Sequence, residues 1–370
     1  MPAPVVGEAL VSWVVAAADR FEMSVRQTVE VLGLRVPGRS LSHLMIDMPD
    51  EAFQGFSAAT GLSPKHLRAM TLLDHGRLVA GEPDTTTSNA WRLRWARAAQ
   101  VKHVHSNFCP QCLAENGHRW LVRWRLPWHF ICVRHRKFPV PRCPGCGGHQ
   151  RWDVRPPHRY LCTNANYMGY GGALVSAVML PREGHLTAGR ATGCGARFAS
   201  AAAADVSDSG LVDLQTRIEV LERGAEAAGI GETDPSPLTL LMYLAGMTAA
   251  VAAWRLVETS DSEVIAMVDR YRESTAWQVD QGRFNENPRG REGLRLAAEP
   301  KLMAGALKVA LRALEAEDPV AGLEWFVEGA FPVPDARYLR PLRPGSYFPP
   351  SVELFKGSAP PSRRKLIDPA

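Results

Sequence analysis

Seven cysteines and one histidine, gathered in one stretch of a 370-residue chain, constrain its fold more than any other feature. They read Cys109-x2-Cys112, nineteen residues, Cys132-x2-His135, seven residues, Cys143-x2-Cys146, fifteen residues, Cys162, then thirty-one residues to Cys194. Two intervening residues let a pair of side chains meet one tetrahedral ion at about 2.3 Å. Pro110 and Pro144 follow the first cysteine of each CxxC pair and Gly147 follows the second pair. They stiffen and turn each knuckle so that backbone amides point at sulfur. Eight such groups suit two structural Zn²⁺ ions. The sequential division puts Cys109, Cys112, Cys132 and His135 on one ion and Cys143, Cys146, Cys162 and Cys194 on the other. An interleaved division would use the same eight residues.

The rival uses of these residues fit less well. Catalytic zinc needs an open coordination position and a nearby general base, and here four protein ligands can fill each site. The other histidines, His103, His105, His118, His129, His149, His158 and His185, follow no ligand spacing. Redox CxxC chemistry wants one motif at a helix start beside a βαβ unit. The chain has no GxxxxGK phosphate loop and no nucleophile elbow. A non-enzyme is expected.

No apolar run reaches the roughly 18 residues that cross a bilayer, so no membrane association is expected. The opening MPAPVVGEALVSW lacks a basic region and carries Glu8 in its apolar stretch, which argues against a secretory signal. A cytoplasmic protein is expected, and its reducing environment disfavours a disulfide framework.

Charge is uneven. Between Trp91 and Arg142 stand Arg92, Arg94, Arg97, Lys102, Arg119, Arg123, Arg125, Arg134, Arg136, Lys137 and Arg142 against one acid, Glu115. A field of one sign on a folded module attracts phosphates or acidic partners. Arg119, Arg123, Arg125, Arg134, Arg136 and Lys137 are the candidate phosphate contacts. Trp120, Trp124 and Trp128 recur every four residues beside them; a stacking surface is one reading, and the small core of a metal module is the favoured one.

The rest is mainly helical. Val6, Leu10, Trp13, Val14 and Ala17 recur at helical spacing, and Ser24 caps a second helix through Val25, Val29 and Leu32. The stretch Asp50–Leu72 has the form of a helix-turn-helix: Phe53 and Phe56 on a first helix, Gly61 in the turn, Ser63-Pro64 opening a second. That second helix would bury Leu67 and Met70 and expose Lys65, His66 and Arg68, the candidate base readers. Leu211, Leu214, Ile218 and Leu221 space as a helix, as does the run Leu302–Leu314. The expected organisation is an N-terminal helix-turn-helix region (1–104), a central double zinc module built like small zinc ribbons (105–200), a C-terminal helical domain (201–335) and a Pro-rich tail (336–370).

Three segments carry a resemblance to a known family. GEALVSWVVAAADRFEMSV is similar to the opening of the TniQ family, with its Glu-x-x-x-Ser-Trp. CPQCLAENGHRWLVRWRLPWHFICVRHRKFPVPRCPGCGG matches its zinc segment, and DLQTRIEVL is like the helix that follows. The family closes its second site with a compact cysteine pair, whereas here a Gly-rich insertion separates Cys162 from Cys194. The resemblance, which extends to the TnsD-type target selectors, implies a non-catalytic protein that selects the target site in DNA transposition. It further implies contact with DNA or with an RNA-guided effector complex, and recruitment of an AAA+ ATPase of the TnsC/TniB type and, through it, the transposase. A protein–protein adaptor without sequence-specific DNA binding is the alternative, and a homodimer is compatible with helix-turn-helix readers.

Overall fold

The first helix, α1 (Leu10–Arg20), is apolar on nearly every side, the pattern of a helix enclosed by others. Leu10, Val11, Trp13, Val14 and Ala17 are fully buried, and Val15, Ala16 and Ala18 nearly so. Val6, expected on the same stripe, lies in the turn before the helix and is 98% exposed. Helix α2 (Val25–Val31) begins at a capping box: Ser24 Oγ accepts from the Gln27 amide at 3.2 Å, and Gln27 Oε1 accepts from the Ser24 amide at 2.9 Å.

These helices belong to a computed structural model that describes residues 1–34, 41–46, 48–80, 96, 101–102, 105–151, 160–163, 194–228, 238, 241–242, 245 and 300–315. Most of the insertion after Cys162 and the whole Pro-rich tail lie outside the described residues, as do residues 246–299.

A short α3 (Leu41–Leu44) leads to α4 (Asp50–Thr60), whose first-turn acids Asp50 and Glu51 suit the positive end of a helix dipole. Trp13 meets Phe56 edge to face at 5.4 Å and fixes α4 on α1. Gly61 takes the left-handed conformation, φ 73°, that lets the chain reverse. Ser63 then caps α5 (Pro64–Ala69) by accepting from the His66 amide at 3.2 Å. This helix is only six residues long. Thr71 stops it: its hydroxyl donates to the Arg68 carbonyl at 2.7 Å and accepts from the Leu73 amide, which starts α6 (Leu73–Ala80).

The middle of the chain makes little regular structure. Strand β1 (His105–Ser106) pairs antiparallel with β2 (Gln150–Arg151), and single bridges join Phe108 to Val140 and Leu161 to Arg197. Between them lie α7 (Pro110–Glu115) and a 3-10 turn, Val122–Arg125. Trp120, Trp124 and Trp128 are at most 2% exposed and form the core of this segment. Trp120 meets both Trp124 and Phe198 edge to face, at 5.9 and 5.1 Å. Such pairs contribute about 0.5–1.5 kcal/mol beyond the area they bury.

The same core continues into the N-terminal helices. The Ala9 amide donates to the Trp120 carbonyl at 2.8 Å, and the Val122 amide to the Gly7 carbonyl at 2.9 Å. Helix α8 (Ser209–Ala228) turns Leu211, Leu214 and Ile218 inward, and Gln215 Oε1 accepts from the amides of Phe130 and Ile131. Helix α9 (Pro300–Glu315) packs on α8, with Lys308 3.7 Å from Asp208 and Lys301 over the Phe138 ring. The described chain is therefore rich in helix, with the cysteine-bearing segment held between helical parts. Among the described residues no helix is long and apolar enough to cross a membrane.

Candidate metal centres

The structure divides the eight groups sequentially. Cys109, Cys112, Cys132 and His135 form one cluster and Cys143, Cys146, Cys162 and Cys194 another, the ligand atoms of each lying within 4.8 Å of one another. In the first, Cys112 and Cys132 sulfurs stand 3.6 Å apart, and His135 Nδ1 lies 3.4, 3.3 and 3.4 Å from Cys109, Cys112 and Cys132. In the second, Cys143 to Cys194 is 3.7 Å and Cys146 to Cys162 is 3.8 Å. A tetrahedron with metal–sulfur bonds of about 2.3 Å has sulfur–sulfur edges of about 3.8 Å and somewhat shorter sulfur–nitrogen edges. Disulfide sulfurs would sit at about 2.05 Å, and no disulfide joins these cysteines. The donor sets fit a metal ion.

Local structure explains how each group arrives. Cys109 is the residue before α7 and Cys112 lies in its first turn, so one helix start delivers two thiols. The knuckles Cys132-x2-His135 and Cys143-x2-Cys146 share a build. Each closes with a left-handed residue after its last ligand, Arg136 at φ 50° and Gly147 at φ 63°. Each bonds its first cysteine amide across the turn, Cys132 to the Lys137 carbonyl at 2.8 Å and Cys143 to the Gly148 carbonyl at 2.9 Å. The Gly145 amide points at the Cys143 sulfur, 3.4 Å away. Backbone pairing also closes the insertion: the Cys162 amide donates to the Ala196 carbonyl and the Gly195 amide to the Cys162 carbonyl, both at 2.9 Å. Two cysteines remote in sequence thereby reach one cluster.

Packed thiols oppose one another's ionisation. The Cys112 thiol is pushed far above its ordinary value by its hydrogen bonds with Cys109 and then Cys132, with burial adding to them. Cys162 is raised in the same way by Cys143, then Cys146, then burial. Cys143 is pushed up to about 12, first by its contact with Cys146. A dication placed among the sulfurs removes this conflict, because a coordinating thiol is deprotonated outright.

Residues 1–138 match the family model TniQ. The match covers less than half of the chain and marks its N-terminal part as similar to a TniQ domain. No curated protein and no solved structure matches the chain. The TniQ match takes in the first cluster and ends before Cys143, so the second cluster and α8 lie beyond it.

The candidate nucleic-acid contacts fall into distinct settings. Lys65, His66, Arg123 and Arg136 are exposed. Arg68 is half-buried beside Asp50 and Asp74, over the Phe53 ring at 5.2 Å. Arg134 pairs with Glu115 at 2.7 Å and Lys137 with Asp205 at 2.8 Å. Two residues do not suit the surface role expected of them. Arg125 is fully buried, its Nη1 donating to the Lys102 carbonyl at 3.3 Å; burial presses its pKa down to about 9, which still leaves it charged at neutral pH. Arg119 is 12% exposed and spends its charge on the buried Glu8. Their place beside the tryptophans puts them in the core the tryptophans build.

The polar groups that join the helices to this core escape a reading of the sequence. Glu115, Gln215 and Glu222 carry no spacing signal, and the Glu-x-x-x-Ser-Trp motif marks Glu8 without marking its partner Arg119. Glu222 on α8 accepts from Trp128 Nε1 at 3.3 Å and lies 2.8 Å from His129 Nε2 and 3.0 Å from His75 Nδ1. Burial alone would raise its pKa, but the hydrogen bond and charge of His129, then those of His75, hold the carboxyl well below the usual range. The only hint in sequence is the absence of any ligand partner spaced for His129.

Proposed function

We propose that this chain is a non-catalytic target-selection protein of DNA transposition, in which two structural zinc ions hold a recognition module in shape. The observation that carries the zinc reading is the tetrahedral spacing of two four-donor clusters within one folded core. Cys109, Cys112, Cys132 and His135 would hold one ion and Cys143, Cys146, Cys162 and Cys194 the other. Zinc supplies folding energy there, since in such modules metal binding and folding are one equilibrium. Phosphate contacts would come from Arg123, Arg136 and Lys137, and base contacts from Lys65 and His66 in a helix-turn-helix formed by α4 and α5. An AAA+ ATPase and a transposase are the proposed partners downstream.

A second reading has its own observation. Arg68, Arg134 and Lys137 each face an acid of this chain, and α5 spans fewer than two turns, so an adaptor that leaves DNA reading to an RNA-guided complex also fits. Metal analysis of the purified chain is expected to give two zinc equivalents. A mobility-shift titration against the insertion locus then separates the readings: specific binding by the isolated chain supports the selector, and its absence at moderate salt supports the adaptor.

A further inference from the structure

We propose that Glu115 is a positioning residue for the first metal site, fixing which nitrogen of His135 meets the ion, and that Arg134 clamps it in place. The inference rests on the zinc reading of that cluster. His135 turns Nδ1 toward three sulfurs, at 3.3 to 3.4 Å, while its Nε2 lies 2.9 Å from Glu115 Oε1. A neutral imidazole carries one ring proton, and an ionised carboxylate can only accept. The proton therefore sits on Nε2, and Nδ1 presents its lone pair to the cluster. The other carboxylate oxygen, Oε2, is 2.7 Å from the Arg134 guanidinium. Arg134 itself lies inside the knuckle, next to the histidine it helps to orient.

The position of Glu115 has no other good reason. It ends α7, where the helix dipole disfavours an acid by about 0.3–1 kcal/mol, and it is the sole acid between Trp91 and Arg142. It stands three residues after Cys112, so thiol and carboxylate share a helix face. One short helix thus supplies two thiols and the group that orients the fourth ligand. Glu115 is 42% exposed and Arg134 70%, so their pairing adds little to folding stability. Its effect belongs in metal affinity, where partners of a ligating histidine typically matter by about 10–100-fold.

The test uses the full chain loaded with Co²⁺, under competition with a chelator. Cobalt absorption distinguishes a site of three thiolates and one imidazole from a site of four thiolates, so the two clusters are followed separately. Glu115→Leu is expected to weaken the first site by about 10–100-fold, Glu115→Gln by less, with the second site in the same molecule unchanged. Nitrogen NMR of the Zn²⁺-loaded protein is expected to show His135 protonated on Nε2, with that proton slow to exchange in the wild type and fast in Glu115→Leu. First-site affinity in Glu115→Leu equal to wild type, or His135 bound through Nε2, overturns the proposal. A wild-type first cluster that takes up no cobalt overturns both the proposal and the zinc reading.

Discussion

Arg119 sets one guanidinium nitrogen 2.9 Å from both carboxylate oxygens of Glu8, a residue whose side chain is wholly buried. Ser12 donates to the same carboxylate at 2.8 Å and accepts from the Trp120 amide at 2.9 Å. This polar cluster joins the start of α1 to the cysteine-bearing segment, beside the backbone bonds of Ala9 and Val122. Removing one partner leaves a buried charge uncompensated, which costs about 3–5 kcal/mol. Arg119→Ala and Glu8→Ala are each expected to lose about that much in urea unfolding, whereas Glu8→Leu/Arg119→Met loses less than either single change. A double variant as unstable as the sum of the singles would rule this out.

Gly145 makes the second cluster possible. A Cβ at this position would meet Ala196 Cβ at 2.7 Å and the Cys194 sulfur at 2.8 Å, closer than real side chains approach. Gly145→Ala is expected to push Cys194 out of the cluster and lower bound zinc from two equivalents to one, leaving the first site loaded. Retention of both ions by this variant, measured by plasma emission on the gel-filtered protein, would show that the ion does not need Cys194.

Much of this fold can be read from sequence where the signal is local. Ser24, Gly61 and Ser63-Pro64 mark helix ends because caps and left-handed turns restrict which residues serve there. The CxxC and CxxH spacings mark six of the eight ligands and the sequential grouping follows from their order, but how Cys162 and Cys194 reach one cluster needs the backbone pairing of Cys162 with Ala196. Glu8–Arg119 and Glu222–His75 span 111 and 147 residues, and nothing in a one-dimensional pattern marks an acid for a partner that distant. The same blindness makes Arg125 look like a surface cation, since a basic run shows charge and says nothing of which members turn inward.

Glu222 is expected to make stability depend on acid. Its folded pKa is depressed, so its contribution is complete above the ordinary carboxylate value of about 4.3 and is lost as pH falls toward the depressed one. Near neutral pH, Glu222→Gln is expected to cost on the order of 1–3 kcal/mol, the range for charged hydrogen bonds. The gap between wild type and variant, followed by urea unfolding from pH 7 to pH 3, should close only below about pH 4.5. A gap that stays constant to pH 3 would mean that the carboxylate charge plays no part in docking α8.

Loss of the two ions should not be equivalent. Cys109, Cys112 and Cys132 are buried within the tryptophan core, whereas Cys146 and Cys194 are partly exposed at its edge. Cys132→Ser is therefore expected to abolish the cooperative unfolding transition, because metal energy there is folding energy. Cys194→Ser is expected to leave α1 and the tryptophan core folded. Near-ultraviolet circular dichroism, to which the buried Trp13, Trp120, Trp124 and Trp128 contribute, reports the difference; equal loss of signal in both variants would contradict it.

The arginines offer the sharpest test of DNA contact. Each phosphate contact released reduces the slope of log affinity against log salt by about 0.9. Arg123→Ala and Arg136→Ala remove exposed cations and are expected each to lower the slope by about one with stability nearly unchanged. Arg136 occupies a left-handed position at φ 50°, so Arg136→Gly keeps the turn while removing the charge and should behave as the alanine variant does in binding. Arg125→Met removes an equal charge from the core, and its effect should appear in the unfolding midpoint with the slope intact. A slope that responds to Arg125 and ignores Arg123 and Arg136 would place the nucleic acid on a different face, or would leave contact to a partner protein.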